Sequence, residues 1–87
     1  MYPLVFGDNF LSSVKKLDRA TAVKINNKLK VLQRDPFHAT LQTKPLHGKL
    51  KGMYSVRVGR EYRVLFQFLS TDEIILVDVG HRKDIYR

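Results

Sequence analysis

The sequence predicts an α+β fold in which an N-terminal strand and a helical hairpin pack on an antiparallel β-meander. Apolar residues recur with a helical period in the first half of the chain, and the period changes to two from residue 53 onwards. The three apolar segments of the second half are joined only by "GR" and "STD", connections too short for a parallel crossover. At 87 residues, without repeats or a linker, the chain is expected to form a single domain, residues 1–87.

The N-terminal segment begins with "YPLVF", a short strand that Gly7 is expected to end. Asp8 is a suitable N-cap for a helix, because its side chain can accept hydrogen bonds from the first free backbone N–H groups. The apolar residues that follow have helical spacing: Phe10, Leu11, Val14 and Leu17. We therefore expect a short amphipathic helix directly after the first strand.

A second helix is expected to begin at Asp18 or Thr21, both good N-cap residues. Its apolar face repeats in steps of three and four residues through Ala22, Ile25, Leu29 and Leu32. It should end at "RDP", because Asp35 precedes Pro36 and is disfavoured in the α-helical region.

The segment "FHATLQTKPLHGKLKG" has no sustained period and is predicted to be a loop with some local order. Beyond it, "MYSVRV", "EYRVLFQFL" and "EIILVDV" are rich in β-branched and aromatic residues. The middle segment is apolar on both faces, which is typical of a central strand. We expect these three strands to form the meander.

The register of the first hairpin follows from how its side chains sort between the two faces. With a three-residue loop at 59–61, Val58 faces Tyr62 and Arg57 faces Arg63; with a two-residue turn, Arg57 would face Tyr62. Only the first register separates the apolar side chains from the arginines, because a one-residue slip moves each side chain to the other face. Directly opposed like charges destabilise a sheet. The preferred register is therefore tolerable when a phosphate or an acidic partner sits between the two arginines.

Charge and composition restrict the partners and the compartment. The net charge of +8 is large enough to attract polyanions, and the segment 44–63 carries six cations and one acid. The absence of cysteine excludes disulfides and thiolate metal sites and permits a reducing compartment. No signal-like segment or run of about 20 apolar residues is present, so we expect a soluble, cytoplasmic protein without a membrane partner.

The residues that could carry chemistry are Arg57 and Arg63 in the hairpin and His81, Arg82 and Tyr86 after the last predicted strand. Guanidinium groups bind phosphate oxygens and stabilise developing negative charge, but arginine cannot act as a base near neutral pH. Histidine readily transfers protons near neutral pH, whereas tyrosine does so only where neighbouring cations lower its pKa from about 10. A tyrosine could instead stack on a base. Taken singly, such residues are ordinary surface groups; together they suit RNA.

Other chemistries have less support. The glycines form no phosphate-binding loop, the three histidines lack zinc-site spacing, and there is no nucleophile-elbow motif. We therefore expect no metal and no cofactor. Four further cations could hold a long RNA by counterion release: Lys44, Lys49, Lys51 and Arg60.

Two segments, "LHGKLKGMYSVRVGREYRVLFQFL" and "ILVDVGHRKDIYR", resemble the RelE/ParE superfamily of bacterial and archaeal type II toxins. They contain its Y-R-V-[LIV]-[FY] strand and its G-[HK]-R-x-x-x-Y ending. The order of elements is similar along the whole chain, although the specific motifs lie in residues 47–87. The resemblance implies the RelE-like fold. It also implies one of two activities, because the RelE branch comprises ribosome-dependent mRNA endonucleases and the ParE branch inhibits DNA gyrase.

Carried over position by position, the resemblance assigns Arg57 and Arg63 to basic active-site positions on strands. Arg82 corresponds to the arginine after the final strand, and Tyr86 to the catalytic or stacking tyrosine near the C-terminus. Ser55 occupies a position where a lysine is frequent, and His81 replaces a lysine of some members. We expect His81 or a lysine of the 49–51 loop to help deprotonate the ribose 2'-OH, and Tyr86 to orient or stack on a base. Tyr86 also stays open as the proton-transfer group.

The first hypothesis is thus a toxin that cleaves mRNA in the ribosomal A site by metal-independent attack of the ribose 2'-OH. Its expected partners are mRNA, the ribosome and a cognate antitoxin, through which alone it would contact operator DNA. The arginines favour this reading over a ParE-like gyrase inhibitor without nuclease activity. A nucleic-acid-binding relative without toxicity is the third alternative.

Overall fold

A computed structural model of the protein describes residues 1–86 and contains a five-stranded sheet in the order β1-β5-β4-β3-β2. The strands are β1 (Leu4–Phe6), β2 (Lys44–Pro45), β3 (Tyr54–Val58), β4 (Tyr62–Ser70) and β5 (Glu73–His81). The helices are α1 (Asp8–Val14) and α2 (Arg19–Arg34), and single 3₁₀ turns occupy Ala39–Leu41 and Gly48–Leu50. The predicted α+β fold, with its N-terminal strand, helical hairpin and meander, is confirmed.

The meander has the predicted antiparallel pairing, with β4 between β3 and β5. The register of the first hairpin is also confirmed, since Val58 pairs with Tyr62 and Arg57 pairs with Arg63. Gly59 makes the tight connection possible, because its φ of 62° lies in the left-handed region that residues with a Cβ rarely adopt.

The pairing of β1 and the existence of β2 were not predicted from the sequence. β1 pairs in parallel with β5, and the two-residue strand β2 pairs with β3 inside the segment predicted as a loop. The first helix begins one residue earlier than expected, with Gly7 rather than Asp8 at the N-cap. The second helix has Asp18 at its N-cap and ends before Asp35, as predicted. No helix within residues 1–86 has the length and apolarity needed to cross a membrane.

The helices cover one face of the sheet. Their buried side chains, Phe10, Ile25, Leu29 and Leu32, pack against a continuous set on the strands: Val56, Val58, Val64, Phe66, Ile74, Leu76 and Val79. Full burial of one such side chain contributes about 1.5–3 kcal/mol. Because side chains alternate along a strand, Arg57 lies between the core residues Val56 and Val58 and projects from the opposite face.

Candidate active site

The face of the sheet opposite the helices carries an open cleft of about 370 Å³, which we call the cationic cleft. Its lining comprises Gln42, Lys44, Ser55, Arg57, Arg63, Arg82, Lys83 and Tyr86. Five of these eight described residues are cationic, and none of the eight is acidic. Such a surface suits an anion with several oxygen atoms.

Arg57 and Arg63 stand side by side across β3 and β4 at the centre of this lining. Arg57 is held by two hydrogen bonds, in which Nη1 donates to Gln42 Oε1 at 3.0 Å and Nε donates to the Gly59 carbonyl at 3.1 Å. Arg63 Nη1 donates to the Tyr62 carbonyl at 2.9 Å. These acceptors are neutral, so they orient the guanidinium groups without cancelling the charge that faces the cleft.

Lys44 and Ser55 extend the cleft towards the outer edge of the sheet. They are direct register partners on β2 and β3, and cross-strand partners project from the same face. Ser55 is only 4% exposed, whereas Lys44 is exposed. The short side chain of Ser55 therefore forms part of the floor, and the longer Lys44 contributes charge at the rim.

Residues 82–86, which we call the C-terminal turn, complete the cleft from the other side. Gly80 pairs with Arg63, and a Cβ placed on Gly80 would lie 3.3 Å from Cδ1 of the buried Ile85. The missing side chain of Gly80 thus leaves space for Ile85 to pack on the strand. This anchor, together with a 2.6 Å hydrogen bond from the Arg82 N–H to the Glu61 carbonyl, brings Arg82 and Tyr86 beside the hairpin arginines.

His81 lies on the helix side of the sheet and is not among the residues that line the cationic cleft. β5 continues through His81, so strand alternation puts its ring on the same side as the core residue Val79. The ring lies edge-on to Tyr62, at a centroid distance of 5.8 Å, and His81 Nε2 is 3.8 Å from Glu61 Oε2. The structure therefore separates His81 from the other four residues of the predicted catalytic set.

The predicted RNA-binding cations are also divided. Lys44 lines the cationic cleft, and Lys49 lines a neighbouring cleft that shares the Tyr86 side chain. Arg60 lies in a separate groove between the β3–β4 connection and the start of α2. Lys51 is exposed and lines neither cleft.

Two residues that line the cationic cleft were not predicted from the sequence: Gln42 and Lys83. Gln42 follows the first 3₁₀ turn with a positive φ of 48°, in a segment without periodicity, so nothing in the sequence pattern marked it. Lys83 stands directly after Arg82 and could have been found from that adjacency. Across residues 1–86, no cluster of three or more histidine and acidic side chains is arranged to hold a metal ion.

Comparisons with known proteins agree with the fold and the predicted superfamily. The family described as the YoeB-like toxin of bacterial type II toxin-antitoxin systems matches residues 6–82. Toxin YoeB of Mycobacterium bovis is 35% identical over 60 residues, which cover 69% of this chain and 69% of that protein.

Two solved structures share the fold. In the toxin–antitoxin complex RelBE2 from Mycobacterium tuberculosis, one chain superposes with a TM-score of 0.78 at 25% identity, over 93% of this chain and 98% of that one. YafQ from Escherichia coli BL21(DE3) has a TM-score of 0.83 at 15% identity over both complete chains, and this likeness concerns the fold alone. The predicted membership of the RelE/ParE superfamily is thereby confirmed, and the chain belongs to the YoeB-like family of toxins of bacterial type II toxin–antitoxin systems.

Proposed function

We propose that this toxin is a metal-independent endoribonuclease that cleaves mRNA in the ribosomal A site. The observation that carries the proposal is the convergence of Arg57, Arg63, Arg82 and Tyr86 in one open cleft, whose eight described lining residues include no acid. Three guanidinium groups supply the charge stabilisation that phosphoryl-transfer enzymes otherwise obtain from metal ions. A gyrase inhibitor has no need for this set, so the arginines favour the nuclease over the ParE-like alternative.

The reaction is an attack of the ribose 2'-oxygen on the adjacent phosphorus. The 2'-OH loses its proton, a bond forms between O2' and phosphorus, and the bond from phosphorus to O5' breaks. The departing O5' takes up a proton. The products are a 2',3'-cyclic phosphate on one fragment and a 5'-hydroxyl on the other, and no water is consumed.

Arg57, Arg63 and Arg82 bind the non-bridging phosphate oxygens and stabilise the charge that grows on them in the phosphorane. Loss of one well-placed donor of this kind costs about 10²–10³ in rate. The contact from Gln42 to Arg57 keeps one guanidinium oriented before substrate arrives, which avoids reorganisation during the reaction. Lys44 and Lys83 bind the flanking phosphates, and their ammonium groups can also donate the proton that O5' requires.

Tyr86 is the proton-transfer group of this proposal. The Tyr86 hydroxyl first loses its proton to water, to which this 43% exposed side chain has access, and the resulting phenolate oxygen then takes up the 2'-OH proton. Arginine cannot serve here because it stays protonated, and the His81 ring lies on the other side of the sheet. Lys49, in the neighbouring cleft that Tyr86 also lines, is the alternative acceptor.

An antitoxin is the proposed regulatory partner. The RelBE2 structure contains a related toxin in complex with its antitoxin. For this chain, the excess positive charge of the cationic cleft favours an antitoxin segment with acidic side chains that neutralise the arginines. Any contact with operator DNA would be made through that complex.

A reconstituted translation reaction tests the proposal. Purified toxin is added to ribosomes programmed with a defined mRNA, and new 5' ends are mapped by primer extension with and without ribosomes. We expect cleavage within the A-site codon, dependent on ribosomes, with cyclic phosphate and 5'-hydroxyl ends. Absence of cleavage, together with inhibition of DNA supercoiling by gyrase in a parallel assay, would overturn it in favour of the ParE-like alternative.

A further inference from the structure

We propose that His81 is a positioning residue whose neutral ring locks the C-terminal turn, and that a second proton on the ring releases this lock. The effect on RNA rests on the proposed function, because the turn carries Arg82 and Tyr86 into the cationic cleft. The lock itself is a property of the fold and can be tested without RNA.

The backbone N–H groups of the turn are held by a small set of acceptors. The Arg82 N–H donates to the Glu61 carbonyl at 2.6 Å. The Asp84 and Ile85 N–H groups donate to the His81 carbonyl at 2.9 and 3.0 Å. The Lys83 N–H donates to His81 Nδ1 at 3.1 Å. Of these acceptors, only the imidazole nitrogen can be lost by taking up a proton.

The contact at Nδ1 fixes the tautomer of the neutral ring. Because Nδ1 accepts a hydrogen bond, it carries no proton in the neutral ring, and the single ring proton is on Nε2. Nε2 faces Glu61 Oε2 at 3.8 Å. A second proton would go to Nδ1. Two N–H groups would then point at each other, so the bond to Lys83 would break.

The groups around the ring keep it in place when it is charged. The titratable and charged side chains that face it or line the adjoining groove come from several neighbouring elements: Glu61, Tyr62, Lys16, Asp78 and Asp84. The carboxylate of Glu61 attracts the imidazolium, while the edge contact with the Tyr62 ring persists. Protonation is therefore expected to free the turn at Lys83 and not to expel the ring from its site.

A second histidine in the chain makes the same local contact. His38 Nδ1 accepts a hydrogen bond from the N–H of Thr40, two residues later, at 3.1 Å. This spacing is that of an Asx turn, in which an asparagine or aspartate oxygen accepts from the N–H two residues on. Asparagine is thus the conservative replacement for His81, since it keeps the acceptor and cannot be protonated at this position.

The test compares wild type with His81→Asn and His81→Phe, using ¹⁵N NMR of the complete chain. At pH 7.5, we expect the Nε2–H tautomer in wild type and slow amide exchange of Lys83 in both wild type and His81→Asn. His81→Phe keeps the aromatic contact but lacks the acceptor, so its Lys83 amide should exchange about tenfold faster, as expected for one lost hydrogen bond. In acid, once the ring ¹⁵N shifts show the doubly protonated form, this protection should fall in wild type and persist in His81→Asn.

Affinity for a 2'-O-methylated RNA trinucleotide, which cannot be cleaved, should follow the same order. We expect about tenfold weaker binding by His81→Phe, and a pH dependence in wild type that His81→Asn removes. Equal Lys83 exchange in wild type and His81→Phe, or an Asn variant that behaves like the Phe variant, would overturn the proposal. The exchange measurements need no RNA, so they decide whether His81 locks the turn whether or not the free trinucleotide binds; failure of the proposed function would instead appear as absent cleavage in the translation reaction.

Discussion

Arg57 and Arg63 are direct register partners on adjacent antiparallel strands, and both guanidinium groups face the cationic cleft. Like charges at such positions destabilise a sheet. Their neutral hydrogen-bond partners orient these groups but do not remove the repulsion. Within residues 1–86 the hydrogen bonds of this pair go to neutral oxygens, so stability and activity should respond oppositely when one charge is removed.

Arg63→Met should lower cleavage by about 10²–10³ while leaving the free energy of unfolding unchanged or about 0.2–1 kcal/mol higher. Methionine retains an apolar stem of similar length, so the change removes mainly the charge. Urea unfolding followed by circular dichroism measures stability, and the translation reaction measures cleavage. Arg19→Met, at the exposed start of α2, is the matched control and should not change cleavage. A loss of more than about 1 kcal/mol in Arg63→Met would show that the arginine is mainly structural.

Gln42→Gly should lower cleavage without lowering stability. Gln42 adopts a left-handed conformation, which costs a residue with a Cβ about 1–2 kcal/mol and costs glycine little. Part of this gain is offset by the greater chain entropy of glycine in the unfolded state, so we expect stability equal to wild type or slightly higher. The contact from Arg57 to Gln42 Oε1 is lost, and cleavage should fall about tenfold. Thermal melts and initial cleavage rates test this; unaltered cleavage would show that Arg57 needs no such support.

The hairpin that carries the site could be predicted from the sequence because its alternation is strict. Tyr54, Val56 and Val58 alternate with Ser55 and Arg57, and only one register keeps both strands consistent with a buried face. A local pattern was thus enough to predict that two arginines six positions apart pair across the hairpin. The charge at 44–63 likewise pointed to the segment that supplies Lys44, Arg57 and Arg63 to the cationic cleft.

Other parts of the site depended on tertiary contacts that leave no local pattern. β2 consists of Lys44 and Pro45, too short to show a period, and it pairs only because β3 offers a free edge. The parallel pairing of β1 with β5 joins segments about 70 residues apart, which no spacing reveals.

The position of His81 depended on where β5 ends. The apolar run stops at Val79, so the strand was expected to stop there and His81 to follow it freely. In the structure β5 continues to His81, because the ladder with β4 extends to the pair Tyr62 and His81. Side chains two positions apart on a strand lie on the same face, so His81 lies on the core side together with Val79. Extending the predicted strand by two residues would have moved His81 away from the arginines.

Gly80→Val should displace the C-terminal turn. A valine at this position would place its Cβ 3.3 Å from Ile85 Cδ1 and add two methyl groups in the same direction, so Ile85 could not stay in contact with β5. We expect a destabilisation of about 1–3 kcal/mol and a loss of cleavage of at least about 10²–10³, the effect of removing one well-placed donor such as Arg82. Gly80→Ala is the matched control: its Cβ is tight only against Cδ1 of Ile85 and lies at an ordinary 3.8 Å from Ile85 Cβ, so cleavage should change by less than about threefold. Equal behaviour of the two variants would contradict this role for Gly80.

Tyr86→Phe and Tyr86→Ala separate the hydroxyl of Tyr86 from its ring. If the hydroxyl transfers the 2'-OH proton, Tyr86→Phe should lower the single-turnover cleavage rate by about 10²–10⁴, a usual contribution of general acid–base catalysis. It should leave affinity for the 2'-O-methylated trinucleotide within about twofold, because the ring is retained. Tyr86→Ala should lose the same rate and also bind more weakly, since stacking of a base on an aromatic ring contributes about 1–3 kcal/mol. Both variants should unfold near the wild-type midpoint because Tyr86 is 43% exposed.

Wild-type cleavage by Tyr86→Phe would contradict proton transfer by the hydroxyl and reduce Tyr86 to a stacking residue. Lys49, which lines the neighbouring cleft beside the Tyr86 ring, would then be the proton acceptor.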